Sequence, residues 1–284
     1  YNYMNGEKNY LDILDFVLKN GQLKQNRTGT SAYTYPHMMI QHDMSKGFPL
    51  LTTKKMGIKS VSAELEFFIK GLSDKKWLKD RKCYIWNEWC NPKKIPNNLT
   101  DEQRKEFQLN ENDLGKVYGY QWRNFNSQDH DQLKDVLDKL KNDPNNRRMV
   151  VSAWNPTQFD EMALPPCHMM WGVNVVGDKL SLWWMQRSVD VFLGLPYNLS
   201  SYATLLKLLC KESGLKEGIV TGFLADVHVY ENHVEQAKLQ LSREPMDLPK
   251  LEIKNFKSIL DWEYTDLELI GYKSHESIKA PIAV

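Results

Sequence analysis

The sequence predicts a single α+β domain over residues 1–284, and three observations support this fold class. A chain of 284 residues is long enough to bury a large core. Apolar strand patterns and amphipathic helix patterns are intermixed along the chain without a βαβ rhythm. The sequence also shows no internal repeat and no low-complexity tract, so nothing in it indicates a repeat architecture.

The first third of the chain predicts two helices separated by a strand. Residues 10–20 carry apolar side chains at helical spacing, and Gly21 ends this helix. A strand-like segment follows at residues 33–41. The second helix is predicted over residues 56–70.

A carboxylate stands inside the apolar stripe of that second helix. The stripe comprises Val61, Leu65 and Phe68. Glu64 lies within it, whereas Glu66 is predicted to face away. A carboxylate on a buried face is costly unless it is hydrogen-bonded or neutral. Glu64 therefore either caps a neighbouring turn or serves proton chemistry.

The middle of the chain predicts an aromatic segment, a polar insert and a further helix. Residues 84–89 read YIWNEW and form a rigid aromatic patch. Residues 91–113 are polar and contain prolines, which predicts a surface insert with one short helix capped by Thr100 and Gln103. Residues 132–141 carry one apolar stripe and predict an amphipathic helix.

A β-hairpin is predicted next, and Cys167 lies at its entrance after two prolines. Gly177 and Asp178 form its tight turn. The strands alternate apolar residues on one face, namely Trp171, Val173, Val175, Leu180, Leu182 and Trp184. Polar side chains follow where the returning strand ends, a usual place for functional groups. They are Gln186, Arg187, Ser188 and Asp190.

The C-terminal third predicts a buried helix and a strand. Residues 199–210 are broadly apolar, so Cys210 is predicted to be a core thiol. In the strand at residues 222–230, His228 and Tyr230 are two apart and point the same way. This arrangement suits a shared polar ligand, with a satisfied core pair as the alternative.

Composition and charge exclude several classes of protein. Hydrophobic residues make up 42% of the chain and charged residues 26%, which is ordinary for a globular protein. A net charge of +1 provides no long-range attraction for nucleic acid or an anionic membrane, and no apolar run approaches ~20 residues. We therefore expect no DNA or membrane partner. The absence of a signal peptide and of a C-x-x-C pair favours a cytoplasmic protein with free thiols and no metal site.

Five motifs are spread over most of the chain. They are RTGT at residues 27–30, AEL at 63–65, LGKVYGYQWR at 114–123, ALPPCH at 163–168 and QRSVDVFLGLPYNLSSYA at 186–203. Together they resemble the thymidylate synthase family, with Lys116 in place of the usual proline. The resemblance implies a mixed β-sheet flanked by helices. It also implies the reductive methylation of dUMP at C5 to dTMP, with 5,10-methylenetetrahydrofolate as donor of the carbon and the hydride.

This reaction explains the catalytic residues that the resemblance implies. C5 of uracil is too weak a nucleophile by itself, and a thiolate that adds at C6 turns the ring into an enolate. Cys167 is the implied thiol, and Arg187 favours its ionised form. Asn198 presents an acceptor and a donor that match uracil N3–H and O4. The other implied catalytic residues are Glu64 with Tyr118 and His168, which order a proton-carrying water, and Asp190, which binds the pterin.

The resemblance also implies a nucleotide site that two subunits of a homodimer share. One subunit supplies Arg27, Gln186, Arg187, Ser188, Asn198, His228 and Tyr230. Two adjacent arginines are by themselves typical of a solvated surface pair. The resemblance implies that Arg147 and Arg148 reach the other subunit's phosphate. Guanidinium groups suit phosphate because they donate two parallel hydrogen bonds.

The folate site is implied to consist of apolar and small residues around one acid. These residues are Ile85, Trp86, Trp89, Leu164, Asp190, Leu193, Gly194, Tyr197 and Ala283. The apolar tail at residues 282–284 has no obvious local partner, and we expect it to close over the bound folate.

Three other functions are weighed against this one. A deoxynucleotide hydroxymethylase of the same superfamily captures the exocyclic methylene with water, and Trp86 and the apolar tail argue against it because both exclude water. Departures from the family pattern keep it open, namely Glu66, Phe67, Asn87, Ala225 and Val227. A cysteine hydrolase using Cys167 and His168 is disfavoured because adjacent residues on an extended segment point to opposite sides. A nucleotide sensor without catalysis would not need the thiol and the glutamate together.

Overall fold

A mixed six-stranded sheet forms the centre of the computed structural model, which describes residues 4–282. Its strands are β1 (Gln22–Lys24), β2 (Ala32–Asp43), β3 (Val150–Ser152), β4 (His168–Val176), β5 (Lys179–Asp190) and β6 (Lys216–Tyr230). The spatial order is β1-β2-β6-β5-β4-β3, and every neighbouring pair is antiparallel except β5 and β6. A second, two-stranded sheet pairs β7 (Lys250–Ile253) with β8 (Leu267–Ile270).

Helices flank the central sheet and confirm the predicted α+β class. Those described within residues 4–282 are α1 (Gly6–Asn20), α2 (Lys59–Ile69), α3 (Lys76–Asp80), α4 (Asp101–Asn110), α5 (Tyr118–Arg123), α6 (Gln132–Asn142), α7 (Leu195–Ser213) and α8 (Val234–Leu241). Short 3-10 turns occupy Met44–Lys46, Pro92–Lys94, Pro156–Glu161, Glu231–His233 and Tyr264–Asp266. Helices α1 and α7 pack against the sheet, and α2 packs against α5 and α7. None of these described helices is long and apolar enough to cross a membrane.

The predicted hairpin is confirmed as β4 and β5. Trp171 lies opposite Trp184 and Val173 opposite Leu182, so the alternating apolar side chains meet on one face of the sheet. Gly177 has a φ of 65°, a left-handed conformation that glycine adopts without steric cost. The register therefore follows from the pattern that predicted it.

Several predicted elements are confirmed with shifted ends. Helix α1 begins four residues before the predicted residue 10, because the side chain of Asn5 caps it. The predicted helix 56–70 begins only at Lys59. Helix α4 is the expected short helix of the insert, and Thr100 and Gln103 form its capping box. Cys210 is buried in α7, as predicted for a core thiol.

The prediction that Glu66 faces away from the core is wrong. Its side chain is only 2% exposed. The carboxylate accepts hydrogen bonds from Lys70 Nζ at 2.7 Å and from the backbone N–H of Tyr264 at 2.6 Å. The C-terminal part of the chain covers this side of α2, so the helix is buried beyond the single stripe read from its sequence.

Candidate active site

The segment that carries Cys167 is held on both sides by hydrogen bonds. The backbone N–H of Cys167 donates to Tyr118 Oη at 2.8 Å, and its carbonyl accepts from the backbone N–H of Arg187 at 2.9 Å. The Arg187 guanidinium donates to the carbonyls of Pro166 at 2.9 Å and Pro165 at 3.0 Å. The thiol therefore lies on a braced segment next to a fixed positive charge.

Two opposing effects act on the Cys167 thiol. Burial raises its pKa, because a thiolate is poorly solvated in the interior. The positive charges of Arg187 and, to a smaller extent, Arg27 oppose this rise, but burial is the larger effect and the pKa stays above its ordinary value. The other three cysteines are also free thiols, and burial raises the pKa of Cys83 to about 11 and that of Cys210 to about 12. The thiols of Cys83 and Cys210 therefore stay protonated at neutral pH, since no arginine lowers their pKa.

Glu64 is a carboxyl group with an unusually high pKa. Burial raises this pKa to about 7, although a hydrogen bond from Trp86 opposes the rise. The bond runs from Trp86 Nε1 to Glu64 Oε2 and is 2.8 Å long. Near neutral pH, Glu64 is thus present in both protonation states and suits proton transfer.

Tyr118 and His168 stack beside this carboxyl group. Their ring centroids are 4.2 Å apart, and the Trp86 ring meets Tyr118 edge-on at 6.1 Å. His168 Nδ1 is 2.5 Å from Tyr202 Oη, and burial lowers the histidine pKa to about 3. His168 is therefore neutral at physiological pH and is already engaged by Tyr202. This geometry does not provide the cysteine–histidine pair that a cysteine hydrolase needs.

Asn198 is oriented by the buried side chains of Trp184 and Gln186. Trp184 Nε1 donates to Gln186 Oε1 at 3.0 Å. Gln186 Nε2 in turn donates to Ser188 O at 3.0 Å and to Asn198 Oδ1 at 3.1 Å. The side-chain oxygen of Asn198 is therefore fixed, and its orientation presents one acceptor edge and one donor edge to a ligand.

Four of the predicted nucleotide-binding residues line one cavity. The cavity has a volume of about 160 Å³ and lies where β5 and β6 end beside the loop before β2. Its walls include Arg27, Ser188, His228 and Tyr230. The parallel pairing of β5 and β6 brings these residues together, because Ser188 lies opposite Asp226 and Asp190 opposite His228.

Arg147 and Arg148 are not part of this cavity. Both are exposed and precede β3, at the opposite edge of the sheet from β1 and β2. The backbone N–H of Arg148 donates to Asn146 Oδ1 at 2.7 Å, which fixes the turn. Within one chain, the structure therefore separates the arginine pair from Arg27 and Ser188.

The residues predicted to hold the folate are mostly apolar and differ in exposure. Ile85 is half exposed, Trp86 is buried, and Trp89, Leu164, Leu193 and Tyr197 are partly buried against the core. Asp190 Oδ1 accepts from the backbone N–H of Leu193 at 3.2 Å, and Gly194 donates to the backbone carbonyl of Asp190 at 3.0 Å. A carboxylate beside apolar side chains fits a heteroaromatic ring that carries N–H donors. Ala283 lies outside the described residues.

Comparison with known proteins places the chain in a family. A sequence model described as thymidylate synthase matches residues 8–284. The chain belongs to the thymidylate synthase family. A protein named thymidylate synthase from Mycoplasma genitalium is 45% identical over 289 residues, covering 98% of this chain and 100% of that protein. Another of the same name, from Mycoplasma pneumoniae, is 45% identical over 287 residues, covering 97% and 99%.

The departure from the thymidylate synthase pattern at Glu66 and Phe67 has a structural explanation. Two residues correspond to about 200° around a helix, so Glu66 projects roughly opposite to Glu64. Its partners, Lys70 and Tyr264, belong to the packing of the C-terminal segment. Phe67 is fully buried beside Trp77. Glu66 therefore supports α2 from the side away from Glu64, whereas Phe67 packs against Trp77 in the core.

Asp226 is a residue of this thymidylate synthase site that sequence reasoning missed. Its carboxylate lies 2.9 Å from His228 Nδ1, and Lys24 Nζ donates to it at 3.2 Å. Asp226 thereby orients the imidazole so that Nε2 is left for a ligand. The signal was present in the sequence, since Asp226 and His228 alternate onto the same face of the strand.

Proposed function

We propose that this chain converts dUMP to dTMP by reductive methylation at C5, through a covalent bond between Cys167 Sγ and C6 of the base. The observation that carries the proposal is that one side chain, Tyr118, connects the thiol segment to the proton-transfer group. Tyr118 Oη accepts from the Cys167 backbone, and its ring meets Trp86, the hydrogen-bond partner of Glu64. Family membership agrees with this chemistry.

Base recognition and attack follow from fixed groups. Asn198, held by Gln186, hydrogen-bonds N3–H and O4 of uracil. Arg187 stabilises the Cys167 thiolate, which attacks C6. The negative charge that then develops on O4 is stabilised by donors already in position. Glu64, with a pKa of about 7, takes up or releases protons at the base through water.

Phosphate and ribose are held by the 160 Å³ cavity. Arg27 and Ser188 in its wall, together with Arg187 beside Ser188 on β5, supply donors for phosphate oxygens, and His228 and Tyr230 bind the ribose 3′-hydroxyl. Asp226 fixes the His228 ring for this purpose. Planar guanidinium groups favour a phosphate over a neutral nucleoside, so a nucleotide is the proposed substrate.

We assign 5,10-methylenetetrahydrofolate to the mostly apolar residues around Asp190. When bound, it supplies a one-carbon unit and a hydride. Ile85, Trp89, Leu193 and Tyr197 pack against it, and Asp190 accepts hydrogen bonds from its ring. Trp86 keeps water away from the reacting carbon, which favours methylation over hydroxymethylation.

A homodimer completes the site. Met39, Phe223 and Met185 are cross-strand neighbours on β2, β6 and β5, and they are exposed by 43%, 41% and 40%. A contiguous apolar row of this kind on a sheet face indicates a protein interface. A two-fold dimer through this face brings Arg147 and Arg148 to the partner's phosphate cavity. The free thiols fit a reducing cytoplasm.

The test is product analysis by mass spectrometry after incubation with dUMP and methylenetetrahydrofolate. We expect dTMP from the unmodified protein and none from Cys167→Ser, while Cys210→Ser retains activity as the matched control. 5-Fluoro-dUMP with the folate should give a covalent adduct that contains Cys167. Absence of both dTMP and the adduct contradicts the proposal, and 5-hydroxymethyl-dUMP as the main product assigns the chain to hydroxymethylation instead.

A further inference from the structure

The ammonium group of Lys75 is enclosed by three backbone carbonyls. The residue is 1% exposed. Nζ donates to Asn87 O at 2.8 Å, to Trp89 O at 2.7 Å and to Gln108 O at 2.6 Å. These three bonds use all three donors of the ammonium group. Burial without a carboxylate partner lowers its pKa to about 8.

Such a buried cation needs compensation, and the fold provides it from two directions. Gln108 lies in the last turn of α4, where the carbonyls carry the negative end of the helix dipole. Asn87 and Trp89 belong to the turn at residues 84–89. Lys75 therefore connects the helix of the polar insert to the aromatic turn.

The backbone of the aromatic turn makes two hydrogen bonds within residues 84–89. They lie at the long end of the normal range, at 3.2 Å from Asn87 N–H to Tyr84 O and 3.1 Å from Trp89 N–H to Trp86 O. Two of the three carbonyls that Lys75 binds belong to this turn, that of Asn87 directly after Trp86 and that of Trp89 three residues after it. Trp86 in turn donates to Glu64. Lys75 thus fixes the backbone that directly follows Trp86, whereas the indole itself contacts Glu64 and Tyr118.

We propose that Lys75 is a positioning residue, which clamps the turn at 84–89 so that Trp86 stays against Glu64 and the folate site stays in place. The inference rests on the proposed function and adds a group that none of its steps contains. It also assigns a role to helix α4 of the polar insert, because the carbonyl of Gln108 in its last turn binds Lys75.

Lys79 in α3 provides a matched control, one turn after Lys75 at the N-cap of the same helix. Its Nζ donates to Leu109 O at 3.0 Å and to Asn112 Oδ1 at 3.0 Å. Lys79 thus holds the same end of α4 as Lys75 but makes none of the bonds to the aromatic turn. Replacing either lysine by methionine removes one ammonium group and keeps a similar side-chain length.

The experiment compares Lys75→Met with Lys79→Met in the full chain by three measurements. They are the hydrogen-exchange rate of the Trp86 indole N–H by NMR, the KM for methylenetetrahydrofolate and the Kd for dUMP. In Lys75→Met we expect indole exchange to be about tenfold faster and the folate KM about tenfold higher, because the turn loses its anchor. The dUMP Kd should change by less than about twofold, since the nucleotide cavity has no contact with the clamp. Lys79→Met should leave all three unchanged within about twofold.

Several results overturn the proposal. One is unchanged indole exchange and folate KM in Lys75→Met, and another is an equal effect of Lys79→Met. A uniform loss of kcat, folate binding and dUMP binding indicates a purely structural lysine. If Lys75→Met does not fold, Lys75→Gln, whose amide keeps two donors, replaces it and should give a smaller effect in the same direction. Failure of the unmodified protein to make dTMP contradicts the proposed function, whereas indole exchange still decides whether Lys75 holds Trp86.

Discussion

The indole Nε1 of Trp86 donates a 2.8 Å hydrogen bond to Oε2 of Glu64. This bond stabilises the ionised carboxylate, while burial of the same group stabilises the neutral acid. Burial is the larger effect, and the pKa is about 7. Trp86 therefore tunes the pKa of Glu64, and in the proposed function the same side chain keeps water from the reacting carbon.

Trp86→Phe tests the tuning of Glu64. The substitution removes the hydrogen bond that favours the ionised form, so the pKa of Glu64 should rise above 7. If turnover needs the ionised carboxylate, the ascending limb of the kcat–pH profile moves to higher pH. Profiles between about pH 5.5 and 9 measure the shift. Trp89→Phe is the control, and an equal shift in both variants contradicts the assignment.

Glu64→Gln should lower kcat and raise the free energy of unfolding at pH 8. Its carboxyl has a higher pKa in the folded state, about 7, than the ordinary value of 4.5. Between these two pH values the folded protein binds more protons than the unfolded chain, so stability falls as pH rises. The stability of the glutamine variant does not fall in this way, because its amide does not titrate, and the amide oxygen still accepts the hydrogen bond from Trp86. It should be more stable by about 1–3 kcal/mol at pH 8 and equal near pH 4.5, and kcat should fall by about 10²–10⁴.

Urea unfolding at the two pH values separates the effects in Glu64→Gln. A constant difference in the free energy of unfolding between pH 4.5 and 8 shows that Glu64 does not titrate in this range. A variant with full turnover removes Glu64 from the mechanism.

The site was predictable from the sequence where its residues are local, and less so where they come from distant segments. The hairpin, its Gly177 turn and the polar residues after it lie in one stretch, and periodicity identifies them. Glu66 was placed wrongly because its partner Tyr264 is 198 residues away. The sequence contains no sign of the buried position of Lys75, since its carbonyl partners are separated from it by 12 to 33 residues. A helical pattern records one apolar face and cannot show a polar partner that arrives from elsewhere.

Asn198→Asp should change the preferred base. Gln186 Nε2 already donates to Asn198 Oδ1, so the fixed edge of a protonated aspartate would present C=O and O–H in the pattern that cytosine requires. We expect preference to move from dUMP towards dCMP in competition kinetics, because unpaired buried polar groups discriminate strongly. Asn174→Asp, an exposed position on β4, makes the same change far from the base and should have no effect. An unchanged preference in Asn198→Asp refutes the role of Asn198.

The sheet face of Met39, Phe223 and Met185 should control assembly. Phe223→Asp places a charge where two copies meet, and burying it without a partner is strongly unfavourable. We expect a monomer in sedimentation and loss of most turnover. Leu239→Asp, at another exposed apolar residue on α8, should remain a dimer with full activity. A fully active Phe223→Asp monomer rules out a shared site.

Complementation tests the arginine pair directly. Cys167→Ser lacks the thiol, and Arg148→Ala lacks the group assigned to the partner's phosphate. If Arg148→Ala is itself nearly inactive, mixed dimers should regain one intact site of two. Activity should therefore appear on mixing the two inactive proteins and should fit the fraction of mixed dimers. No recovery, although mixed dimers form, shows that Arg148 serves its own subunit.

The C-terminal tail should decide whether hydride or water reacts with the exocyclic methylene. His233 Nε2 hydrogen-bonds the carbonyl of Pro281, which ties the tail to the 3-10 turn directly after Tyr230. Ile282 is largely exposed, and Val284 lies outside the described residues. An exposed apolar side chain such as that of Ile282 gains stability by covering another surface, and we expect that surface to be the proposed folate site. Deleting Val284 should thus lower methylation far more than dUMP affinity and should release some 5-hydroxymethyl-dUMP, because water reaches the exocyclic methylene. Product ratios by mass spectrometry measure this. Equal losses of methylation and dUMP binding contradict closure of the tail over the folate. A wild-type protein that makes mainly 5-hydroxymethyl-dUMP contradicts the synthase assignment itself.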